Sequence, residues 1–338
     1  MTRICICGGG NLGHVVAGFV ASRQGFEVSL LTRRPEQWSR HLVIDTPDGS
    51  KIQATLARIS NNPEDVVPNA DIVLLCQPGY AIHETLVLIH HHLRADTAVG
   101  SVVSSTGFFF EAMKLMPDHT PLFGLQRVPF IARIKEYGHS AALLGYKESL
   151  YMAIERTLLR EELRQTVEQM FNTPVSLLSN FYEVSLSNSN PLLHPARLYD
   201  LWSDWKQGDF SPSVPLFYEG WTEHAAELYI AMDSELHQLL AVLPVNQGSI
   251  PTVLDYYEST DAPSLARKLR SIEAFKGIKA PMCRVEEGYV PDFNSRYFTE
   301  DFPYGLAVIR QLCIEHHTNA PVIGEIFQWG NQHIQNHD

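Results

Sequence analysis

Residues 3–20 have the sequence Arg3-Ile-Cys-Ile-Cys-Gly8-Gly-Gly-Asn-Leu-Gly13-His-Val-Val-Ala-Gly-Phe-Val20. The apolar run at the start predicts a short strand, which ends at the three glycines. From Asn11 the apolar residues recur at steps of three and four, which predicts an amphipathic helix. Gly25 ends this helix, and Phe26–Leu31 predicts a second strand. A strand, glycine turn, helix and strand within about thirty residues form a βαβ unit.

The glycine turn matches the pattern G-x-G-x-x-G, with Gly8, Gly10 and Gly13 at the fixed places. The first glycine permits a tight turn, the second lets the backbone approach a pyrophosphate, and the third lets the helix pack on the strand. The helix N-terminus then presents free N–H groups and a partial positive charge to the phosphates. We therefore predict a dinucleotide site formed by these glycines with Asn11 and Leu12.

The rest of the chain predicts two domains. Strands alternate with helices up to about residue 180, which is typical of a doubly wound, mainly parallel sheet, and residues 141–145 are one of the strands expected there. Beyond this point helical periods dominate, as in residues 223–242. We predict an α/β protein with an N-terminal Rossmann domain over residues 1–180 and a mostly α-helical C-terminal domain over residues 181–338.

Composition and charge limit the class of partner. The 338 residues are 45 % hydrophobic, and 26 Lys and Arg against 38 Asp and Glu give a net charge of −12. An acidic chain without a basic stripe does not favour nucleic acid or an anionic membrane as a partner. The N-terminus lacks a signal-peptide pattern and no apolar run approaches the ~18 residues of a membrane span, so we expect a cytoplasmic protein. Three consecutive histidines, His90-His-His92, point about 100° apart on a helix, and we predict no metal site.

The segment after the second predicted strand bears on the choice of nicotinamide. NAD enzymes usually carry an acidic residue there for the ribose 2′-hydroxyl. This chain instead has Thr32-Arg33-Arg34, and two guanidinium groups with a hydroxyl suit a 2′-phosphate. We predict NADP as cofactor, with NAD as the alternative in which Arg33 and Arg34 are solvated surface charges.

Two segments of the C-terminal half carry candidate catalytic groups. In Asn190-Pro-Leu-Leu-His-Pro-Ala196 the backbone of His194 is fixed by a proline on its C-terminal side and another three residues before it, which suits a positioned acid or base. In Ser295-Arg-Tyr-Phe-Thr-Glu-Asp301 an arginine and an aspartate lie five apart before a predicted helix. By spacing alone, Arg296 is equally a surface residue and Asp301 an N-cap.

Taken together, these motifs are recognisable. The chain resembles the opine dehydrogenases of the octopine/nopaline type, and the resemblance runs from the glycine turn to the last helix. The segments that carry it are Gly8–Asn11, Arg133-Ile-Lys-Glu-Tyr-Gly138, Leu193-His-Pro-Ala196, Pro215-Leu-Phe-Tyr-Glu-Gly220, Ala280-Pro-Met282, Pro291-Asp-Phe293 and Arg296–Asp301.

The resemblance implies a two-domain fold, with a helical domain like the C-terminal domain of 6-phosphogluconate dehydrogenase, and a reaction. An amino acid or amine condenses with a 2-keto acid such as pyruvate, and NAD(P)H reduces the C=N bond to a secondary-amine dicarboxylate. It implies that His194 is the catalytic histidine, Asp301 its partner and Arg296 the substrate-binding arginine. The alternatives are a 2-keto acid/2-hydroxy acid dehydrogenase on the same fold and a non-catalytic NADP(H)-binding sensor.

One departure from the family pattern concerns the substrate. Octopine-forming relatives carry an acidic residue before a threonine where this chain has Gln126-Arg127. The resemblance implies that this carboxylate recognises a basic side chain, so Gln126 argues against arginine as the amino donor. Arg127 then binds an acidic group of the substrate, contacts a cofactor phosphate or lies on the surface. The expected partners are these small molecules, and a homodimer is compatible with the sequence.

Overall fold

The glycine turn joins the first strand to the first helix, as predicted. A computed structural model of the chain describes residues 1–105 and 107–335, and these fall into two units, Met1–Ser187 and Asn188–Asp338. The strands of the first unit are, in chain order, β1 (Thr2–Cys7), β2 (Phe26–Leu31), β3 (His41–Asp45), β4 (Lys51–Thr55), β5 (Arg58–Ser60), β6 (Ile72–Leu75), β7 (Ala98–Ser101), β8 (Leu122–Leu125), β9 (Phe130–Glu136), β10 (Ser140–Tyr146), β11 (Leu150–Glu155) and β12 (Val175–Leu177).

Eight of these strands form one sheet in the order β12-β11-β8-β7-β6-β1-β2-β5. Every neighbouring pair is parallel except β8 with β11, so the predicted doubly wound, mainly parallel sheet is confirmed. Alternate residues of β1 enter cores on opposite faces of this sheet, Ile4 and Ile6 on one face and Cys5 and Cys7 on the other. The strand order reverses between β1 and β6, the place where doubly wound sheets bind ligands.

The strand expected at residues 141–145 lies in a different sheet from the one predicted. It is part of β10, which belongs to a separate four-stranded sheet in the order β4-β3-β10-β9. Helix α1 (Asn11–Ala21) contacts β1 and β2 of the large sheet and all four strands of the small one. This helix is therefore buried on most of its surface rather than on a single face.

The other helices of the first unit cover the large sheet. They are α2 (Gly79–Ile89), α3 (Phe108–Leu115), α4 (Arg160–Phe171) and α5 (Phe181–Leu186). The sequence changes to helical periods after about residue 180, but α5 packs against α3, β8 and β11 within the first unit. Its residue Val184 is fully buried in the same core as Phe109.

The second unit is mostly helical, as predicted. Its helices are α6 (Asn190–Trp202), α7 (Glu223–Leu240), α8 (Val253–Tyr256), α9 (Ala262–Ser271), α10 (Arg296–Thr299), α11 (Ala307–Glu315) and α12 (Pro321–Gln335), with one hairpin of β13 (Met282–Val285) and β14 (Gly288–Pro291). Helices α6, α7 and α12 pack on one another. Within residues 1–105 and 107–335, no helix is long and apolar enough to cross a membrane.

Candidate active site

The glycine turn has the geometry that a dinucleotide-binding loop requires. Gly8 has a φ of 122°, and a Cβ added there would lie 2.7 Å from the carbonyl oxygen of Cys76. A Cβ at Gly13 would lie 2.0 Å from the carbonyl oxygen of Gly8, whereas a Cβ at Gly10 would meet no atom within 4 Å. The first and third glycines therefore allow close packing, and the second leaves the backbone open to a ligand.

The N-terminus of α1 fits a pyrophosphate. Gly10 precedes the helix, no side chain caps it, and its first turn has no acidic residue. The orphan N–H groups and the helix dipole are thus left for an anion. The side chain of Asn11 accepts a hydrogen bond from the N–H of Ile134 (2.8 Å), and Leu12 packs against the core. The side chain of Leu12 is therefore turned to the core, and the Asn11 side chain joins the start of α1 to β9.

His14 is a buried residue beside the glycine turn whose position the sequence does not indicate. The ring is fully buried, with Nδ1 2.9 Å from the carbonyl oxygen of Gly10 and Nε2 accepting from the N–H of Gly138 at 2.7 Å. It packs against Trp38, with ring centroids 4.0 Å apart. Burial lowers the pKa of His14, and a neutral ring with its proton on Nδ1 satisfies both contacts. His14 therefore links the turn between β9 and β10 to the glycine turn through its contacts with Gly138 and Gly10.

The predicted 2′-phosphate residues follow β2. Thr32 is buried and its N–H donates to the carbonyl of Ser60 (2.9 Å), which extends the pairing of β2 with β5. Arg33 and Arg34 are exposed, and neither guanidinium has an ion pair or hydrogen bond with any residue that the structure describes. Both cations are therefore available to a ligand.

Gln126 and Arg127 follow β8, at the same carboxyl edge of the sheet as the glycine loop. Gln126 is half-buried and its N–H donates to the carbonyl of Tyr151 (2.8 Å), while Arg127 is exposed. Strands β1, β6 and β7 lie between β2 and β8, so four strand spacings, about 19 Å, separate their ends. This distance places Arg127 apart from the arginines that follow β2.

In the second unit, His194 is held by a hydrogen bond at each ring nitrogen. Nδ1 lies 2.7 Å from Oδ2 of Asp301 and Nε2 lies 3.0 Å from the hydroxyl of Tyr218. The side chains of His194 and Asp301 are only 9 % and 16 % exposed. Because a carboxylate only accepts, Nδ1 carries the proton and a neutral ring has Nε2 accepting from the tyrosine. The structure thus brings together two of the three residues that the resemblance implied.

Local sequence explains how Asp301 reaches the histidine. Pro191 lies in the first turn of α6, and a Cβ on Gly305 would lie 2.5 Å from its Cγ, so only glycine allows this close approach. Gly305 belongs to the π-helical turn Phe302–Leu306, and this turn follows directly on Asp301. The Asp301 side chain makes no capping hydrogen bond and instead accepts from His194.

Arg296 is the first residue of α10. Its side chain is exposed and forms no ion pair with the part of the chain that the structure describes. The next residue, Tyr297, packs edge-on against His194 with ring centroids 4.5 Å apart. Arg296 is therefore adjacent in sequence to a residue that contacts His194, and its guanidinium has no ion-pair partner in the described structure.

Tyr218 is the functional candidate that residue-by-residue analysis of the sequence missed. It lies in the motif Pro215–Gly220, where an aromatic-rich stretch is most simply explained as core packing. In fact Tyr218 is 5 % exposed and its hydroxyl contacts His194. The described residues contain no cluster of three His, Cys, Asp or Glu side chains suited to a metal.

Comparison with known proteins supports the resemblance to opine dehydrogenases. Residues 177–334 match NAD/NADP octopine/nopaline dehydrogenase, alpha-helical domain, and residues 4–124 match ketopantoate reductase PanE/ApbA. Octopine dehydrogenase of Pecten maximus is 27 % identical over 360 residues, which cover 98 % of this chain and 90 % of that protein. Tauropine dehydrogenase of Arabella iricolor is 28 % identical over 365 residues, with coverages of 98 % and 91 %. These similarities support the opine dehydrogenase family for this chain.

Solved structures agree with this resemblance. Octopine dehydrogenase with NADH and L-arginine superposes with a TM-score of 0.89 at 26 % identity, covering 99 % of this chain and 90 % of that one. Together with the relatives, this likeness indicates that the chain is an NAD(P)-dependent oxidoreductase that acts on the CH–NH group of donors.

Proposed function

We propose that this enzyme condenses an amino acid with a 2-keto acid such as pyruvate and reduces the resulting C=N bond to a secondary-amine dicarboxylate. The observation that carries this proposal is the buried His194, which is bonded to Asp301 through Nδ1 and to Tyr218 through Nε2. Octopine dehydrogenase structures determined with arginine, agmatine or pyruvate, each with NADH, support small amines and keto acids as the substrate classes.

Each residue of the site has a chemical role in this reaction. Forming and reducing the C=N bond requires proton transfers at the amine and at the carbonyl oxygen, and an imidazole performs these near neutral pH. Asp301 orients the ring of His194 and stabilises its cation. The exposed guanidinium of Arg296 grips a substrate carboxylate by two parallel hydrogen bonds, which fixes the reacting carbon.

The cofactor that fits the first unit is NADP. A bound nicotinamide supplies the hydride that reduces the C=N bond. The open backbone at Gly10 and the uncapped N-terminus of α1 accept the pyrophosphate. The exposed Arg33 and Arg34 bind the 2′-phosphate, and they follow β2 at the place where NAD enzymes have a carboxylate.

Gln126 and Arg127 select the amino donor. They follow β8 and are about 19 Å from the end of β2, which favours contact with the substrate over contact with the 2′-phosphate. An exposed, unpaired Arg127 repels a second guanidinium or ammonium group. We infer that neutral or acidic amino acids are better donors than arginine or lysine.

The test is a matrix of amino acids against keto acids with NADPH and NADH, followed by nicotinamide absorbance and product mass. Oxidation of NADPH that depends on the amine, with a product mass equal to amine plus keto acid minus one water plus two hydrogens, is the expected result. Keto-acid reduction without amine would contradict the proposal and favour a hydroxy-acid dehydrogenase.

A variant pair isolates the donor-selecting charge. Arg127→Glu should shift preference towards basic donors, and Arg127→Gln, which removes the charge without reversing it, should give an intermediate ranking. Arginine as the best wild-type donor would show that Gln126 and Arg127 have been assigned the wrong preference. An unchanged donor ranking with weaker NADPH binding in Arg127→Glu would instead assign Arg127 to the cofactor site.

A further inference from the structure

The surroundings of His194 leave Nε2 with one polar neighbour in the described structure. Nδ1 is hydrogen-bonded to Asp301. Tyr297 and Phe217 pack against the ring, with centroids 4.5 Å and 5.8 Å away. Nε2 is the nitrogen left for exchanging a proton with substrate, and its partner is the hydroxyl of Tyr218 at 3.0 Å. The route by which His194 exchanges a proton therefore leads to this hydroxyl.

Tyr218 is held rigidly in this position. Its ring stacks on Phe275, with centroids 4.0 Å apart and an interplanar angle of 16°. The preceding carbonyl, that of Phe217, accepts a hydrogen bond from Nε of the buried Arg197 (3.0 Å), whose Nη1 lies 2.5 Å from Asp200. The loop is thus anchored to α6, the helix that carries His194, one turn beyond it.

A buried tyrosine hydroxyl suits a relay because it donates one hydrogen bond while accepting another. Burial, with smaller contributions from Tyr297, Tyr257 and Asp301, raises the pKa of Tyr218 above the ordinary tyrosine value. The hydroxyl therefore stays neutral at the pH where a histidine titrates. The titratable groups that face the His194 ring among the described residues are Asp301, Tyr218 and Tyr297.

We propose that Tyr218 relays the proton between Nε2 of His194 and the substrate, an inference that rests on the proposed function. In the reductive direction the amine adds to the keto-acid carbonyl, and the carbinolamine must lose water. The Nε2 proton of the imidazolium moves to the Tyr218 oxygen while the tyrosine proton moves to the leaving hydroxyl. The C–O bond breaks, the nitrogen lone pair forms the C=N bond as an iminium, and His194 is left neutral with Tyr218 unchanged.

The test compares Tyr218→Phe with wild type and with a matched control. Tyr229→Phe removes the hydroxyl of another fully buried tyrosine of the same unit, on α7, whose ring contacts in the described structure are with Trp221 and Tyr257 rather than His194. With the best amino acid and keto acid, Tyr218→Phe should lower kcat by about 10²-fold and change its pH profile, while NADPH affinity stays at the wild-type value. Tyr229→Phe should keep the wild-type kcat and pH profile.

A spectroscopic readout separates a relay from a purely orienting role. In ¹⁵N-histidine-labelled protein, with the His194 signals assigned by subtraction of the His194→Ala spectrum, the relay predicts that Tyr218→Phe keeps the Nδ1–H tautomer. Loss of that tautomer would overturn the relay and make Tyr218 a positioning residue. If Tyr218→Phe is unfolded, 3-fluorotyrosine at position 218 keeps the hydroxyl but makes it more acidic. The relay then requires the pH profile of kcat to move.

The outcomes also separate this inference from the proposed function. An inactive His194→Ala with a folded Tyr218→Phe of wild-type kcat and pH profile would overturn the relay alone. A fully active His194→Ala would overturn the assignment of His194, and the relay with it.

Discussion

The pairing of His194 with Asp301 makes the first prediction at the scale of single residues. His194→Ala should lower kcat by ~10²–10⁴ and leave NADPH affinity unchanged, because it removes proton transfer but no cofactor contact. Asp301→Asn should also lower kcat, since the amide still reaches Nδ1 but cannot stabilise the imidazolium. Steady-state kinetics with NADPH titration by fluorescence measures both. A folded His194→Ala enzyme with normal turnover would show that the histidine is structural.

The unused cation of Arg296 leads to a second prediction. Lysine keeps the charge but cannot reproduce a two-point grip on a carboxylate. Arg296→Lys should therefore raise the KM for the keto acid much more than the KM for NADPH. Arg284→Lys, at an exposed arginine of strand β13, is the control and should change neither constant. Equal changes in both KM values would contradict a substrate-specific role.

The arginines after β2 lead to a third prediction. NADPH should have a higher kcat/KM than NADH, by about tenfold for each charge-assisted contact to the 2′-phosphate. Arg33→Asp combined with Arg34→Ala should lower or reverse the ratio of kcat/KM for NADPH to kcat/KM for NADH. Arg58→Ala on the neighbouring strand β5 should leave this ratio unchanged. Preference of the wild type for NADH would remove the basis for assigning these arginines to the phosphate.

The sequence predicts a site residue only where its type and spacing are explained by a single structural or chemical role. The glycine turn meets this condition because its three positions are fixed by backbone geometry. Tyr218 and His14 do not, because a tyrosine among aromatics and a histidine in an apolar helix are usually packing residues. Their roles depend on partners in other elements, and only the fold brings those partners within hydrogen-bond distance.

At the scale of elements, the small sheet β4-β3-β10-β9 shows what local sequence cannot supply. Strand β10 pairs in parallel with β3, which precedes it by almost a hundred residues, and in antiparallel with the adjacent β9. The strand in residues 141–145 was predictable from its apolar run, but the sheet it joins depends on a long-range pairing. The large sheet was predictable because each of its βα units carries its own periodic signal.

The contact between α1 and the β9–β10 turn makes a fourth prediction. Burial lowers the pKa of His14 below its ordinary value of 6.5, so the unfolded chain takes up a proton first as the pH falls. Stability should therefore decrease below about pH 6.5, with a slope of up to about 1.4 kcal/mol per pH unit from this residue. In His14→Gln the amide oxygen can accept from Gly138 and the amide NH₂ can donate to Gly10, with no titration.

Urea unfolding at pH 7.5 and 5.5 measures this difference. The wild type should lose more free energy of unfolding between the two pH values than His14→Gln does. His119→Gln, at an exposed histidine of the same unit, should behave as the wild type. Equal losses in wild type and His14→Gln would show that His14 is protonated in the fold.

For the whole molecule, the placement of the arginines explains how a chain of net charge −12 could attract anionic ligands. Arg33, Arg34, Arg127 and Arg296 are all exposed, and none forms an ion pair with the described part of the chain. The charge of Arg3, in contrast, is balanced by its ion pair with Asp71. Unpaired arginines therefore create local positive potential in a negative molecule, each at a place where we propose a phosphate or carboxylate.

The division into two units leads to the last prediction, in which the first unit folds alone and binds the cofactor. A fragment of residues 1–187 should bind NADPH without catalysing the reaction, because it keeps the glycine loop, Arg33 and Arg34 but lacks His194. At about 100 times the Kd, NADPH should raise its Tm by about 5–10 °C.

A fragment of residues 1–180 is the sharper comparison, since it lacks α5. That helix buries Val184 in the core, and the N–H of Phe181 donates to Glu155 (2.9 Å). The shorter fragment should therefore melt at a lower temperature. A folded 1–187 fragment that does not bind NADPH would mean that the first unit alone is not a complete cofactor site.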